Sequence, residues 1–349
     1  FVIWASINDV ARNAGAYEER LGAIASWVTE RMEQARERRD LQAAGKRAAD
    51  RARDKATGPT DSREPAAAEP AGPPTLDEIS NASISGIYDE PIQLQGGKYE
   101  GEPFEPQGAS FPRVGLIEES LLTGDLDGDG AEEAIVMLWE SSGGSGTYSY
   151  LAALDREGSE VLNVATAEIG DRIQLRDSRV SGNRVELDVL RAGPQDAGCC
   201  PGEMATLAWE LEGASLNPVE SGVEPERLSI ASFAGPEWVL RNLDRDEPAP
   251  GEPEITLLFE EDRIAGKSGC NQYMGKVTEG DLPGDLTVGL LAGTMMACPP
   301  EIMDLEDRYR QRLEKVFKIG FFLGDLALSF EKEDGGMGQL RFSPRQSGE

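Results

Sequence analysis

The chain has 349 residues, and its 34 Lys/Arg stand against 64 Asp/Glu, a formal net charge of −30. That length accommodates two domains plus an extension, each with a core of its own. So acidic a chain repels phosphate backbones, which excludes nucleic acid as a partner. It also has no histidine, and so lacks the commonest general base and transition-metal ligand.

The charge is unevenly placed. Residues 1–56 carry 11 basic and 9 acidic side chains, leaving 23 basic and 55 acidic for the rest. The chain opens on Phe1-Val2-Ile3-Trp4-Ala5-Ser6-Ile7 without a preceding Met. Those residues read either as the start of an amphipathic helix or as the end of a membrane tether or signal helix upstream of residue 1. No run reaches the roughly 18–20 apolar residues of a spanning helix. Val10, Tyr17, Leu21, Ile24, Val28 and Met32 recur at helical spacing, so residues 1–56 are expected to form a helical extension or stalk. Its apolar stripe fades near residue 33, which favours a solvated spacer over a coiled coil. Residues 57–77, with Pro at 59, 65, 70, 73 and 74, read as a semi-extended linker.

Residues 78–218 are expected to form an acidic β-rich domain. Its clearest strands are Ala134 to Trp139, Tyr148 to Leu154, Val185 to Leu190 and Ala205 to Leu211. Between the predicted elements lies Asp125-Leu126-Asp127-Gly128-Asp129-Gly130-Ala131-Glu132-Glu133. Alternating carboxylates closed by glycine suit a hard cation that prefers oxygen ligands. Val136 stands where a helix–loop–helix site would place its bidentate Glu, so Glu133 takes that part. The loop is similar to short dockerin-type and repeat-type calcium loops. Asp125, Asp127, Asp129 and Glu133 are therefore candidate calcium ligands, against the alternative of a solvated acidic turn. Cys199-Cys200-Pro201 leaves several possibilities open: a bridge between neighbours in a strained ring, a soft-metal or redox pair, or thiols that fix the turn after Gly193. Neither a CxxC spacing nor histidine is present to support zinc.

Residues 226–345 begin with strands around Trp238 and Leu240, then Ile255, Leu257 and Phe259. Pro299-Pro300 opens a helix with Ile302, Leu305, Tyr309, Leu313, Val316 and Phe317 on one face. Two last strands, Phe321 to Phe330 and Gln339 to Phe342, flank Gly335-Gly336. Strands, one helix and a hairpin predict the α+β class: a β-rich domain, a small domain with one helix on a sheet, and the N-terminal helical extension.

Catalytic signatures are weak. Gly143-Gly144-Ser145-Gly146-Thr147 lacks the closing glycine of a nucleophile elbow, and Glu261 stands where a phosphate loop ending at Gly266-Lys267-Ser268 needs its first glycine. A serine or cysteine nucleophile would lack a histidine to activate it. No enzyme is predicted, and a carboxylate-dependent hydrolase is the residual alternative.

The stretch Ser268-Gly269-Cys270-Asn271-Gln272-Tyr273-Met274-Gly275 and the later Thr294-Met295-Met296-Ala297-Cys298-Pro299 resemble the two cysteine motifs of the META/HslJ domain of bacterial envelope proteins. Trp238-Val239-Leu240, Ile264-Ala265-Gly266, Glu306 and Leu326-Ala327-Leu328 extend the resemblance over about 228–343. It implies a small α+β envelope domain, often on lipoproteins, linked to heat shock, antibiotic tolerance and motility, with no established catalytic site. It marks Gly269, Asn271, Thr294, Met296 and Pro299 as motif residues. It also implies a Cys270–Cys298 disulfide in an oxidising compartment, the alternative being two buried free thiols. No lipobox cysteine occurs near the start, so lipoprotein attachment does not carry over. The upstream acidic domain, on Asp125 to Gly130 and Cys199-Cys200-Pro201, resembles segments that accompany META domains in some bacterial proteins.

The expected role is non-catalytic binding or structural support in a periplasmic or membrane-anchored envelope protein under stress, toward a protein or envelope ligand not specified by the residues. One alternative is an inhibitor or ligand trap whose acidic surface captures a cationic partner. Another is a calcium-dependent adhesion module.

Overall fold

The computed structural model describes residues 72–345, apart from 106, 107 and 145. The described residues belong to one compact unit. The helical extension expected over 1–56 lies outside the described residues.

A short helix, α1 (Leu76–Ile79), starts inside the stretch expected to be linker. Thr75 caps it: Glu78 reaches back to the Thr75 N–H at 2.9 Å, closing a capping box. Arg156 binds Glu78 at 2.7 Å and tethers this turn to the sheet behind it. A two-strand ribbon, β1 (Ser83–Ile84) and β2 (Ile92–Gln93), follows.

Five antiparallel strands form the first large sheet, in order β3 (Lys98–Glu100), β4 (Arg113–Gly124), β5 (Glu133–Ser141), β6 (Tyr148–Glu157) and β7 (Glu160–Asp171). A second sheet holds β8 (Gln174–Ser181), β9 (Arg184–Arg191), β10 (Glu203–Glu212) and β11 (Ser215–Val219), with β12 (Glu226–Arg227) paired to β10. Successive strand residues face opposite sides, and β5 shows the result. Ile135 and Met137 point into the core shared with Leu187, Val189 and Trp209 of the second sheet. Ala134, Val136 and Leu138 point the other way, onto Ile79, Ile84, Ile92 and Leu94. An unbroken apolar run is what a strand buried on both faces requires.

The remaining strands are β13 (Trp238–Asp244), β14 (Glu247–Pro248), β15 (Thr256–Glu260), β16 (Arg263–Lys267), β17 (Gln272–Glu279), β18 (Leu286–Val288) and β19 (Ala292–Gly293). After helix α2 (Pro300–Glu314) come β20 (Val316–Phe322), β21 (Asp325–Glu331) and β22 (Met337–Pro344). The sheet runs β18-β17-β16-β15-β13-β22-β21-β20. Its two ends then meet, because Asp285 bridges Lys318 and the Ile319 N–H donates to Gly284 O at 2.7 Å. Closure removes the exposed strand edges that an open sheet leaves. Leu305, Tyr309 and Leu313 of α2 are buried in the barrel core with Phe233, Trp238 and Phe342. That core also takes in Leu190 and Met204, so the two halves share apolar packing.

The α+β class is therefore corrected. Strands take 52% of the described residues and helix 8%, with two helices, so the fold is mostly β and barrel-like. Strand follows strand through nearly all of the described residues, and α2 is a single helix against a closed sheet. Two boundaries also move. Val316 and Phe317 belong to β20 rather than the helix, and Phe317 is exposed. The strand expected from Phe321 to Phe330 is split by a hairpin turn at Leu323 (φ 51°) and Gly324 (φ 87°). Such a turn needs positive φ at both central residues, and leucine gives no signal for it.

Gly266 lies so close to β15 that a methyl group there would overlap the Thr256 carbonyl oxygen, a backbone atom. We expect Gly266→Ala to cost about 1–3 kcal/mol in urea unfolding, the ordinary range for overpacking. Gly144→Ala, with nothing within 4 Å, should stay within about 0.5 kcal/mol.

Candidate functional site

The first cysteine motif is a turn between β16 and β17. Ser268 N–H and Oγ both donate to Asn271 O, at 2.8 and 3.0 Å, and Gly269 sits at φ +113°, where a side chain is strained. Asn271 is then held from α2. The Glu306 carboxylate, 5% exposed, accepts the Asn271 N–H at 3.1 Å and its Nδ2 at 3.2 Å. Arg310 lies 3.7 Å from the other Glu306 oxygen. On its far side Asn271 Oδ1 accepts Met296 N–H at 2.7 Å and Thr294 Oγ1 at 2.8 Å. Thr294 Oγ1 in turn accepts Gln272 N–H at 3.2 Å. One side chain thus joins the turn, the helix and the second motif.

Two neighbours complete the lock. Cys270 and Cys298 are bonded, their Cα atoms 6.2 Å apart, inside the usual disulfide span. Tyr273 donates to Thr256 O at 2.9 Å and accepts from Tyr309 OH at 2.6 Å. Burial raises both phenols above their ordinary range. Pro299 caps α2, its carbonyl accepting from Ile302 and Met303. The structure thus gathers Gly269, Asn271, Thr294, Met296, Pro299 and both cysteines at one place. Sequence reasoning missed the tyrosine pair and the part played by Glu306, because both depend on which face of α2 meets the motif turn.

The acidic loop joins β4 to β5. Carboxylate oxygens of Asp125, Asp127 and Glu133 lie within 4.8 Å of one another. Asp125 accepts Gly128 N–H at 2.7 Å and Gly130 N–H at 3.2 Å, and Glu133, 2% exposed, accepts Leu126 N–H at 2.6 Å. Burial, then the neighbouring carboxylates, push the Asp127 and Glu133 carboxyls up, against single backbone N–H bonds that lower them. Among the described residues no Lys or Arg forms an ion pair with the three. Asp129 stands outside the group and accepts Ala131 N–H at 2.8 Å. Asp155 of β6 was missed, although its charge acts on both Asp127 and Glu133. It arrives through the β5–β6 pairing, which no local pattern announces.

Cys199 and Cys200 are bonded to each other in the β9–β10 loop. Arg172 donates to Gly198 O, Gly193 N–H donates to Asp196 at 2.8 Å, and Arg227 pairs with Asp196. Arg227 and that N–H hold the Asp196 carboxyl below its ordinary range. The ring belongs to a turn tied at several points.

Replacing Glu306 by Ala removes two hydrogen bonds to a charged group and should cost about 2–3 kcal/mol in urea unfolding. Cys270→Ser/Cys298→Ser opens a loop of 28 residues' separation and should cost about 3–4 kcal/mol. If both changes stayed within 0.5 kcal/mol, the motif would not be the lock of this half.

The META domain family model matches residues 231–344 and leaves the upstream β-rich residues uncovered. No curated protein matches the chain. An NMR structure of a protein from Burkholderia xenovorans is similar at 25% identity, over 37% of this chain and 97% of that one. Its TM-score is 0.26, too low to bear on the fold. The chain carries a META domain in its C-terminal third.

Proposed function

We propose that this chain is a non-catalytic binding and structural protein of the bacterial cell envelope, extracytoplasmic and active in envelope maintenance under stress. The observation that carries this reading is the pairing of all four cysteines in two bridges. Disulfides persist in oxidising compartments and are rare in the cytosol. The motif chemistry supports it as well: Asn271, Thr294 and Glu306 are all engaged with backbone or with one another, which suits scaffolding better than a reaction. Cell fractionation with thiol alkylation and intact mass tests the compartment. We expect an extracytoplasmic protein that takes up four alkyl groups only after reduction. Recovery from the cytoplasm with four thiols already reactive would overturn the assignment.

Calcium binding at Asp125, Asp127 and Glu133 is the second reading, as in a calcium-dependent adhesion module. It is favoured by three carboxylates gathered without a paired cation among the described residues. A hard divalent ion would relieve their repulsion, with an affinity of about 10⁻⁴ to 10⁻³ M. Binding of that strength at 10 mM calcium stabilises by about 1.4–2.7 kcal/mol. Calorimetry on the whole chain should show heat at millimolar calcium and a rise in Tm. Asp127→Asn should raise the metal-free Tm by easing repulsion and abolish the calcium-dependent rise. Absence of heat at millimolar calcium discards this reading.

A further inference from the structure

We propose that the exposed stretch Leu290–Pro300, with the groove beside it, is a docking surface for a cationic, amphipathic peptide segment of another protein. The proposal rests on the chain being a binding protein and names the chemistry of its partner.

Leu290 is 92% and Met295 98% exposed, the most exposed large apolar side chains among the described residues, with Met274, Met296 and Met303 also in solvent and Leu291 between them buried. Residues 286–300 hold no charged side chain, in a chain that is 28% charged. This exposure is not that of a loose loop. Thr294 N–H donates to Gln272 O at 3.0 Å, Met296 N–H to Asn271 at 2.7 Å, and Cys298 is bonded to Cys270. The lock that organises this half of the molecule therefore holds the methionines outward. Alongside runs an open groove of about 480 Å³ whose walls include Gly266, Tyr273, Met274 and Ala292, with one charge of each sign, Glu237 and Lys267, so that the groove itself adds no net charge. Methionine, unbranched and polarisable, packs against apolar groups of varied shape.

Charge specifies the partner. The next turns of chain expose Glu301, Asp304 and Asp307, and the first cation, Arg308, is already paired with Glu247. A partner that covers the apolar stretch and meets this rim must carry positive charge among apolar residues, and opposite charge across a rim steers association. An anionic membrane would be repelled by a chain of net charge −30. A second copy would set two acidic rims against each other.

Whole chain labelled with ¹³C at the methionine methyls tests this, titrated with a ten-residue peptide of alternating Lys and Leu. We expect shifts at Met274, Met295, Met296 and Met303, and none at Met337, which is exposed elsewhere, or at buried Met137. Affinity should fall at least tenfold in Met295→Ser/Met296→Ser and in Glu301→Gln/Asp304→Asn/Asp307→Asn, with Met137 and Met204 signals confirming the fold. Equal binding of a Lys/Ser peptide or a Glu/Leu peptide would overturn the proposal, as would equal shifts at Met337. So would the same methyls moving on concentrating the protein alone, or on adding phosphatidylglycerol vesicles. Absence of any binding sinks the docking surface and leaves the compartment measurement, which reads thiols, unaffected.

Discussion

The hydrogen bonds from Asn271 to the buried Glu306 carboxylate organise the C-terminal half of the molecule. A carboxylate taken out of water is costly unless its oxygens are satisfied. Here one oxygen takes two N–H donors and the other faces Arg310, so the charge is tolerable only when the motif turn is in place. The same asparagine fixes Thr294 and Met296, which return to it after the β17–β18 excursion. The Cys270–Cys298 bond repeats that closure covalently.

From this lock the rest of the half follows. Pinning α2 by Glu306 sets Tyr309 and Leu313, three and seven residues on, over the barrel interior. There Tyr309 meets Tyr273 and Phe342. The barrel closes independently at the opposite end of the sheet order, through Asp285 and Lys318. Polar bonding thus decides position and apolar burial supplies most of the stability, the usual division in a small core. Beside this lock the scaffold presents a second feature, an uncharged, outward-facing stretch in an otherwise acidic protein.

The upstream half uses a different device. Its strand β5 is the shared wall of two cores, so one apolar run serves both. The acidic loop before it brings together charges of its own Asp125 and Asp127, of Glu133 at the start of β5 and, through Asp155, of β6. Leu126 anchors that loop in the apolar core while its carboxylates gather outside it.

Much of this was legible locally. Period-two alternation marked β9 and β10, the unbroken run marked β5, and the Pro299-Pro300 start with Leu305, Tyr309 and Leu313 at helical spacing marked α2. Asp125 to Gly130 announced a carboxylate loop. The class was misjudged because barrel closure joins Asp285 to Lys318, 33 residues apart, and strand patterns are silent about which edges meet. The Leu323-Gly324 turn was hidden because leucine rarely takes positive φ. Local chemistry, in short-range periodicity and turn residues, was determined by the sequence alone. Which carboxylates converge, which helix face carries Glu306 to Asn271, and that the methionines point outward were decided by tertiary structure, since each depends on pairings between residues far apart along the chain.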